Sequence, residues 1–140
     1  MDKFRALDDR YSEFRAITWH SSDRKGTPIY HTNVVMAVLR DHVLLCLDSI
    51  KDPKERDEVI LAVQGSGKTL LNLSFDEVEQ YCGNALMLSG GRLICSSRAK
   101  SGYSQKNWEE LEKYTIITAE IPTIEDIGGG SARCMLAELF

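Results

Sequence analysis

Apolar and polar positions along this chain follow two rhythms, and they change every few residues. Thr32–Leu39 and His42–Leu47 are apolar runs separated only by Arg40-Asp41, which predicts a hairpin of buried strands. Pro53 suits the first turn of a helix, and Lys54–Val63 is rich in helix formers. Thr69–Leu73 predicts a short strand. Ser74-Phe75-Asp76-Glu77 is a capping box, which opens a short helix running to about Tyr81. Gly83-Asn84 can take positive φ and stop it. Strands follow over Ala85–Leu88 and Arg92–Ser96, around Ser89-Gly90-Gly91. Ser104 caps a helix over Gln105–Tyr114, and Thr115–Ile121 is a β-branched strand ended by Pro122. A glycine loop then leads into a last strand, Ala132–Leu139. Near the start, Phe14–Trp19 alternates like a strand, Ser21–Pro28 is a polar loop, and residues 1–13 form a charged and aromatic lead-in. This mixed order of short elements and hairpins predicts an α/β chain of the α+β type, not a regular βαβ alternation. With no linker, low-complexity segment or internal repeat legible, residues 1–140 read as a single domain whose first 25 residues carry no firm element.

Composition adds bounds rather than identity. With 43% hydrophobic and 27% charged residues the chain reads as soluble and globular, and large enough to bury a core. Its net charge of −4, with Lys and Arg scattered, argues against nucleic acid and against an anionic membrane surface. No apolar run reaches the roughly 18 residues of a spanning helix, and Met1–Arg5 lacks the apolar stretch of a secretory signal. Cys46, Cys82, Cys95 and Cys134 lie far apart without a CxxC pair. That spacing predicts no metal site, no disulfide framework and a cytoplasmic setting.

Ala62-Val63-Gln64-Gly65-Ser66-Gly67-Lys68-Thr69 imitates a phosphate-binding loop. Such a loop must follow a strand and open a helix, whose N–H groups hold the phosphates. Here the flanks read helix before and strand after. The segment is therefore expected to be a helix end and a turn, without a nucleotide cofactor.

The sharpest chemistry lies at the far end, in Gly128-Gly129-Gly130-Ser131-Ala132-Arg133-Cys134. Glycines let backbone come close to a ligand, and a thiol beside backbone N–H groups and a cation is favoured as the thiolate. His31, far upstream in Tyr30-His31-Thr32-Asn33, is the candidate partner. A distant cysteine and histidine joined by the fold outline a thiol enzyme. The plainer alternatives are a connector of three glycines, a small core cysteine and a satisfied histidine at a strand start.

Three segments together resemble a known superfamily: Ile29–Met36, Phe75–Leu86 with its Tyr81-Cys82-Gly83-Asn84, and Ile121–Glu138 with its glycine run and Cys134. The chain from about Gly26 to Phe140 resembles the guanidine-modifying enzymes: amidinotransferases, arginine deiminases and dimethylarginine dimethylaminohydrolases. Its nearest likeness is to the citrulline-utilisation hydrolase type of amidinotransferase-like protein. The resemblance implies a partial α/β propeller of the pentein kind, about half of a pseudo-fivefold ring. It implies Cys134 as nucleophile and His31 as acid/base in the hydrolysis of a guanidino or ureido group on an arginine-like small molecule. Transfer of the amidino group is the other outcome of the same chemistry. Asn33, Asn84, Gly130, Ser131 and Arg133 are the expected substrate contacts. Asn33 stands where relatives often place an acidic guanidinium ligand. The family's carboxylates lie in an N-terminal half, so the site is expected to be completed by that half or by another chain, as in a homo-oligomer. A non-catalytic half-propeller acting as a binding or assembly module is the alternative.

Overall fold

The structure, a computed structural model, describes residues 15–137. The lead-in over residues 1–13, Phe14, the last two residues of the expected final strand and residue 140 lie outside them.

Two modules of the same design follow one another. The first runs β1 (Met36–Val38), β2 (His42–Leu45), α1 (Pro53–Gly65) and β3 (Thr69–Asn72), with α2 (Phe75–Glu79) behind it. The second runs β4 (Leu86–Leu88), β5 (Arg92–Ser96), α3 (Ser97–Gly102), α4 (Gln105–Leu111) and β6 (Thr115–Ala119), with α5 (Pro122–Gly128) behind it. Each builds a three-stranded sheet in sequence order. In both, the first two strands pair antiparallel and the third joins in parallel after a helical crossover. The structure thus contains the internal repeat that was not legible in the sequence.

Burial explains the apolar runs. All four residues of β2 are buried. Leu44 faces a central core shared by both sheets, with Leu71, Leu93, Cys95 and Leu111. Val43 and Leu45, on the opposite face, pack with Val59 and Val63 of α1. Alternate positions of one strand thereby serve two cores, so Val43–Leu45 are all apolar, and buried His42 at the strand's start is hydrogen-bonded to the Tyr114 hydroxyl.

Caps set the element starts. Asp52 accepts from the N–H groups of Lys54 and Glu55 at the start of α1, with Pro53 in its first turn. Ser74 and Glu77 form the expected capping box of α2. Ser96 and Ser104 cap α3 and α4 through the N–H groups of Ala99 and Asn107.

Several expectations are corrected. Residues 15–19 have no regular structure. Thr32–Val34 is a 3-10 turn, so the first strand starts only at Met36. Pro122 opens a helix rather than a glycine loop, because its fixed φ suits a first helical turn. Ala132–Met135 is a 3-10 turn instead of a strand, held by hydrogen bonds to Asn84. Helix α4 stops at Leu111, before the expected Tyr114. Helix α2 is followed by Tyr81 at φ +62°, so that residue, not Gly83-Asn84, takes the left-handed turn.

The phosphate-loop imitation resolves as expected. Helix α1 ends at Gly65, Gly67 turns the chain at φ +74°, and β3 follows. The Lys68 ammonium is spent on the carbonyl oxygens of Leu39 and Arg40.

Candidate active site

Three loops converge where the modules meet. One carries Tyr30–Val34 ahead of β1, the second Tyr81–Asn84 ahead of β4, and the third Gly128–Cys134 behind α5. They enclose a cleft of about 330 Å³ lined by Tyr30, His31, Asn33, Val34, Val78, Tyr81, Asn84, Gly128, Gly129, Gly130 and Cys134. His31 and Cys134, separated by most of the chain, therefore share one cavity. Both are exposed to solvent, and the Tyr30 ring stands edge-on to His31 with centroids 6.4 Å apart.

Each loop has a local reason for its shape. His31 is the extended residue before the 3-10 turn Thr32–Val34, so His31 and Asn33 reach the cleft from a turn rather than one strand face. Gly83 lies against the first loop so closely that a Cβ there would stand 2.5 Å from the Val34 carbonyl oxygen. Gly129, at φ +67°, ends α5 in the left-handed conformation that glycine takes without strain. A tyrosine in that conformation costs of order 1 kcal/mol. The Tyr81 phenol offsets it by donating to the Glu125 carbonyl at 2.6 Å.

Beneath the glycine loop lies a support that the sequence did not signal. Glu125 is 4% exposed. Its carboxylate accepts from the Ser131 hydroxyl at 2.6 Å and pairs with Arg98 Nε at 3.3 Å. Arg98 also pairs with Asp126 and lies over the Tyr81 ring. The charge pair thus ties α3, α5 and the cysteine loop together. Ser131→Ala leaves one buried carboxylate oxygen without its donor, and a loss of about 1–3 kcal/mol is expected in urea unfolding.

The expected substrate contacts separate into two groups. Asn33, Asn84 and Gly130 line the cleft; Ser131 and Arg133 do not. Ser131 is buried against Glu125, and the Arg133 guanidinium donates to the Leu136 carbonyl at 3.1 Å, in a neighbouring depression. Arg133 contributes its backbone instead, donating its N–H to Asn84 Oδ1 at 2.9 Å. Tyr30 and Tyr81 join the lining unanticipated; only their place beside His31 and Gly83-Asn84 in the sequence hinted at it. No Asp or Glu lines the cleft among the described residues, and Glu125, beneath the glycine loop, is committed to Arg98 and Ser131. No cluster of metal-ligating side chains occurs among the described residues, and no helix there is long and apolar enough to cross a membrane.

The family profile described as N,N dimethylarginine dimethylhydrolase, eukaryotic, matches residues 2–140. The chain belongs to this family. Among solved structures, it resembles apo ArgZ, an arginine dihydrolase from the ornithine–ammonia cycle in Cyanobacteria. The TM-score is 0.72 at 12% identity, over 96% of this chain and 20% of that one. The N-terminal domain of ArgZ bound to product matches with a TM-score of 0.68 at 12% identity, over 94% of this chain and 45% of that one. The ternary complex of AgrE with ornithine and NAD+ matches with a TM-score of 0.62 at 13% identity, over 81% of this chain and 15% of that one. Sequence comparison with curated proteins finds no match. At these identities the likeness is one of fold: the two modules are part of a pentein α/β propeller. The chain spans a fifth of full-length ArgZ and under half of its N-terminal domain.

Proposed function

We propose that this chain carries the nucleophile-bearing part of a hydrolase acting on the guanidino or ureido group of an arginine-related small molecule. The observation that supports it is the meeting of His31 and Cys134 in one cleft, in a chain of the dimethylarginine dimethylhydrolase family. The Cys134 thiolate attacks the planar guanidinium carbon, forming a C–S bond and a tetrahedral adduct. His31 protonates the departing amine or ammonia as the C–N bond breaks. Water, deprotonated by the same imidazole, then attacks the S-bound carbon and releases the thiolate. An amine in place of water would give amidino transfer.

The cleft offers a substrate cation no carboxylate among its described residues. The reading therefore includes a second contributor of acids, either an N-terminal half or another copy of the chain, docked onto a single partial-propeller domain. Arginine, its methylated forms and citrulline all fit this chemistry. All four cysteines are unpaired, which supports a reducing, cytoplasmic setting. The missing carboxylates also favour a second reading, a half-propeller that binds or assembles without turnover.

The test is alkylation with 2-chloroacetamidine, whose amidinium imitates a guanidinium, followed by peptide mapping. Cys46, Cys82 and Cys95 are buried, and burial pushes the Cys95 thiol up to about 11 and raises the other two as well. Labelling is expected at Cys134 alone, slowed by arginine and lost in Cys134→Ser. Equal, slow labelling of all four thiols, or none, would remove the hydrolase reading.

A further inference from the structure

The Asn84 side chain is buried to 1% exposure, and all of its hydrogen-bonding capacity is spent on the loops that form the cleft. Oδ1 accepts from the N–H groups of Arg133 at 2.9 Å and Cys134 at 3.3 Å. Nδ2 donates to the Asn33 carbonyl at 3.0 Å and to the Cys134 sulfur at 3.0 Å. A carboxamide has two donors and one oxygen with two lone pairs, so nothing remains for a substrate. Nor can the amide turn over. Flipped, its oxygen would face the Asn33 carbonyl and its NH2 would face two N–H groups. The sulfur is thus always met by a donor. Asn33 Nδ2 adds a second, longer donor contact at 3.6 Å.

We propose that Asn84, assisted by Asn33, is a positioning residue that holds the Cys134 sulfur as an aimed, hydrogen-bonded thiolate, rather than a substrate contact. The proposal rests on the nucleophile assigned to Cys134 above. A hydrogen bond to sulfur strengthens as the sulfur becomes anionic, so the clamp favours the attacking form. A neutral donor suits this site for a further reason. A cation beside the sulfur would stabilise the thiolate but repel a guanidinium, whereas an amide does the first without the second. The Arg133 side chain, the cation next in sequence, is accordingly engaged elsewhere. The same amide also fixes spacing, because it joins the first loop to the third through one rigid group carried on the second.

The test uses a neutral reagent, so its failure is separable from failure of the hydrolase reading. The rate of iodoacetamide alkylation at Cys134 is measured from pH 5.5 to 10 by peptide mass; a C–S bond forms and iodide leaves with its bonding pair. Asn84→Asp keeps the oxygen that accepts from Arg133 and Cys134, but turns an anionic oxygen towards the sulfur. Its rate at pH 7 is expected to fall about tenfold or more, and the gap to the wild type is expected to narrow steadily towards pH 10. Asn33→Ala, at a half-buried position, is expected to slow the pH 7 rate about twofold with the melting temperature kept. A merely structural role would lower the rate equally at every pH. Superimposable pH profiles for wild type and Asn84→Asp, or a parallel drop at all pH values, would overturn the proposal. If Asn84→Asp does not melt cooperatively, an unchanged Asn33→Ala profile would overturn it. If the alkylation profiles behave as expected while 2-chloroacetamidine shows no preference for Cys134, the positioning role stands and the hydrolase reading falls.

Discussion

Glu77→Ala is expected to cost about 3 kcal/mol or more, read as a fall in Tm of roughly 10 °C or more. Glu77 is 4% exposed and joins the two modules. Its carboxylate accepts from the Ser74 N–H at 2.8 Å and the Ser74 hydroxyl at 3.0 Å in the first module. From the second it takes the Ser104 N–H at 2.9 Å and the Asn107 amide at 2.8 Å. Alanine would leave these donors without their acceptor in a part-buried site, and each orphan carries its own desolvation penalty. The same carboxylate gives a pH signature. Burial acts to raise its pKa, but hydrogen bonds from Ser74, Ser104 and Asn107 outweigh it and hold the group below its ordinary 4.5. A depressed carboxylate contributes stability that is full above the unfolded-state value and is lost as pH falls through the folded-state value. Urea midpoints of the wild type are therefore expected to fall on acidification below about pH 4.5, and those of Glu77→Gln to fall less. Parallel pH curves for the two proteins would show that the inter-module carboxylate is not what acid removes.

Gly83→Ala is expected to damage both stability and the cleft. The added Cβ would lie 2.5 Å from the Val34 carbonyl oxygen and 3.0 Å from the Val35 carbonyl carbon. Both are backbone atoms, so relief requires the first loop to move rather than a side chain to rotate. Overpacking of this kind costs about 1–3 kcal/mol. The displaced loop carries His31 and the Asn33 carbonyl that orients Asn84, so Cys134 alkylation at pH 7 is expected to slow as well. Gly65→Ala, at the end of α1 with nothing within 4 Å of the added carbon, is the control and is expected to be close to neutral. Equal effects of the two substitutions on melting temperature would refute the close-approach explanation.

Local signals carried the element starts well. The box at Ser74 and Glu77, the cap at Ser104 and the proline at Pro53 act within one helical turn, so neighbouring residues suffice to specify them, whereas the short helix that Ser96 caps was not expected. Pro122 shows the limit: proline ends a strand and begins a helix with equal ease, and the glycines beyond it favoured the wrong choice. The repeat escaped notice because the two modules share a packing pattern more than residues. Asn33-Val34-Val35-Met36 returning as Asn84-Ala85-Leu86-Met87 is its clearest trace. Both asparagines end beside the Cys134 sulfur, so that trace was also the signal for the clamp.

The sequence by itself determined the kinship, the candidate nucleophile and its imidazole partner, and the dismissal of the phosphate-loop imitation, since each depends on residue types at short spacing. Only the tertiary structure decided what those residues touch. It buried Ser131 against Glu125, drew the Arg133 side chain to a carbonyl, and saturated Asn84 with four hydrogen bonds. The physical reason is that a polar side chain's partners are fixed by which loops the two sheets bring together. That juxtaposition arises from burial summed over both modules, and no short stretch of sequence contains it.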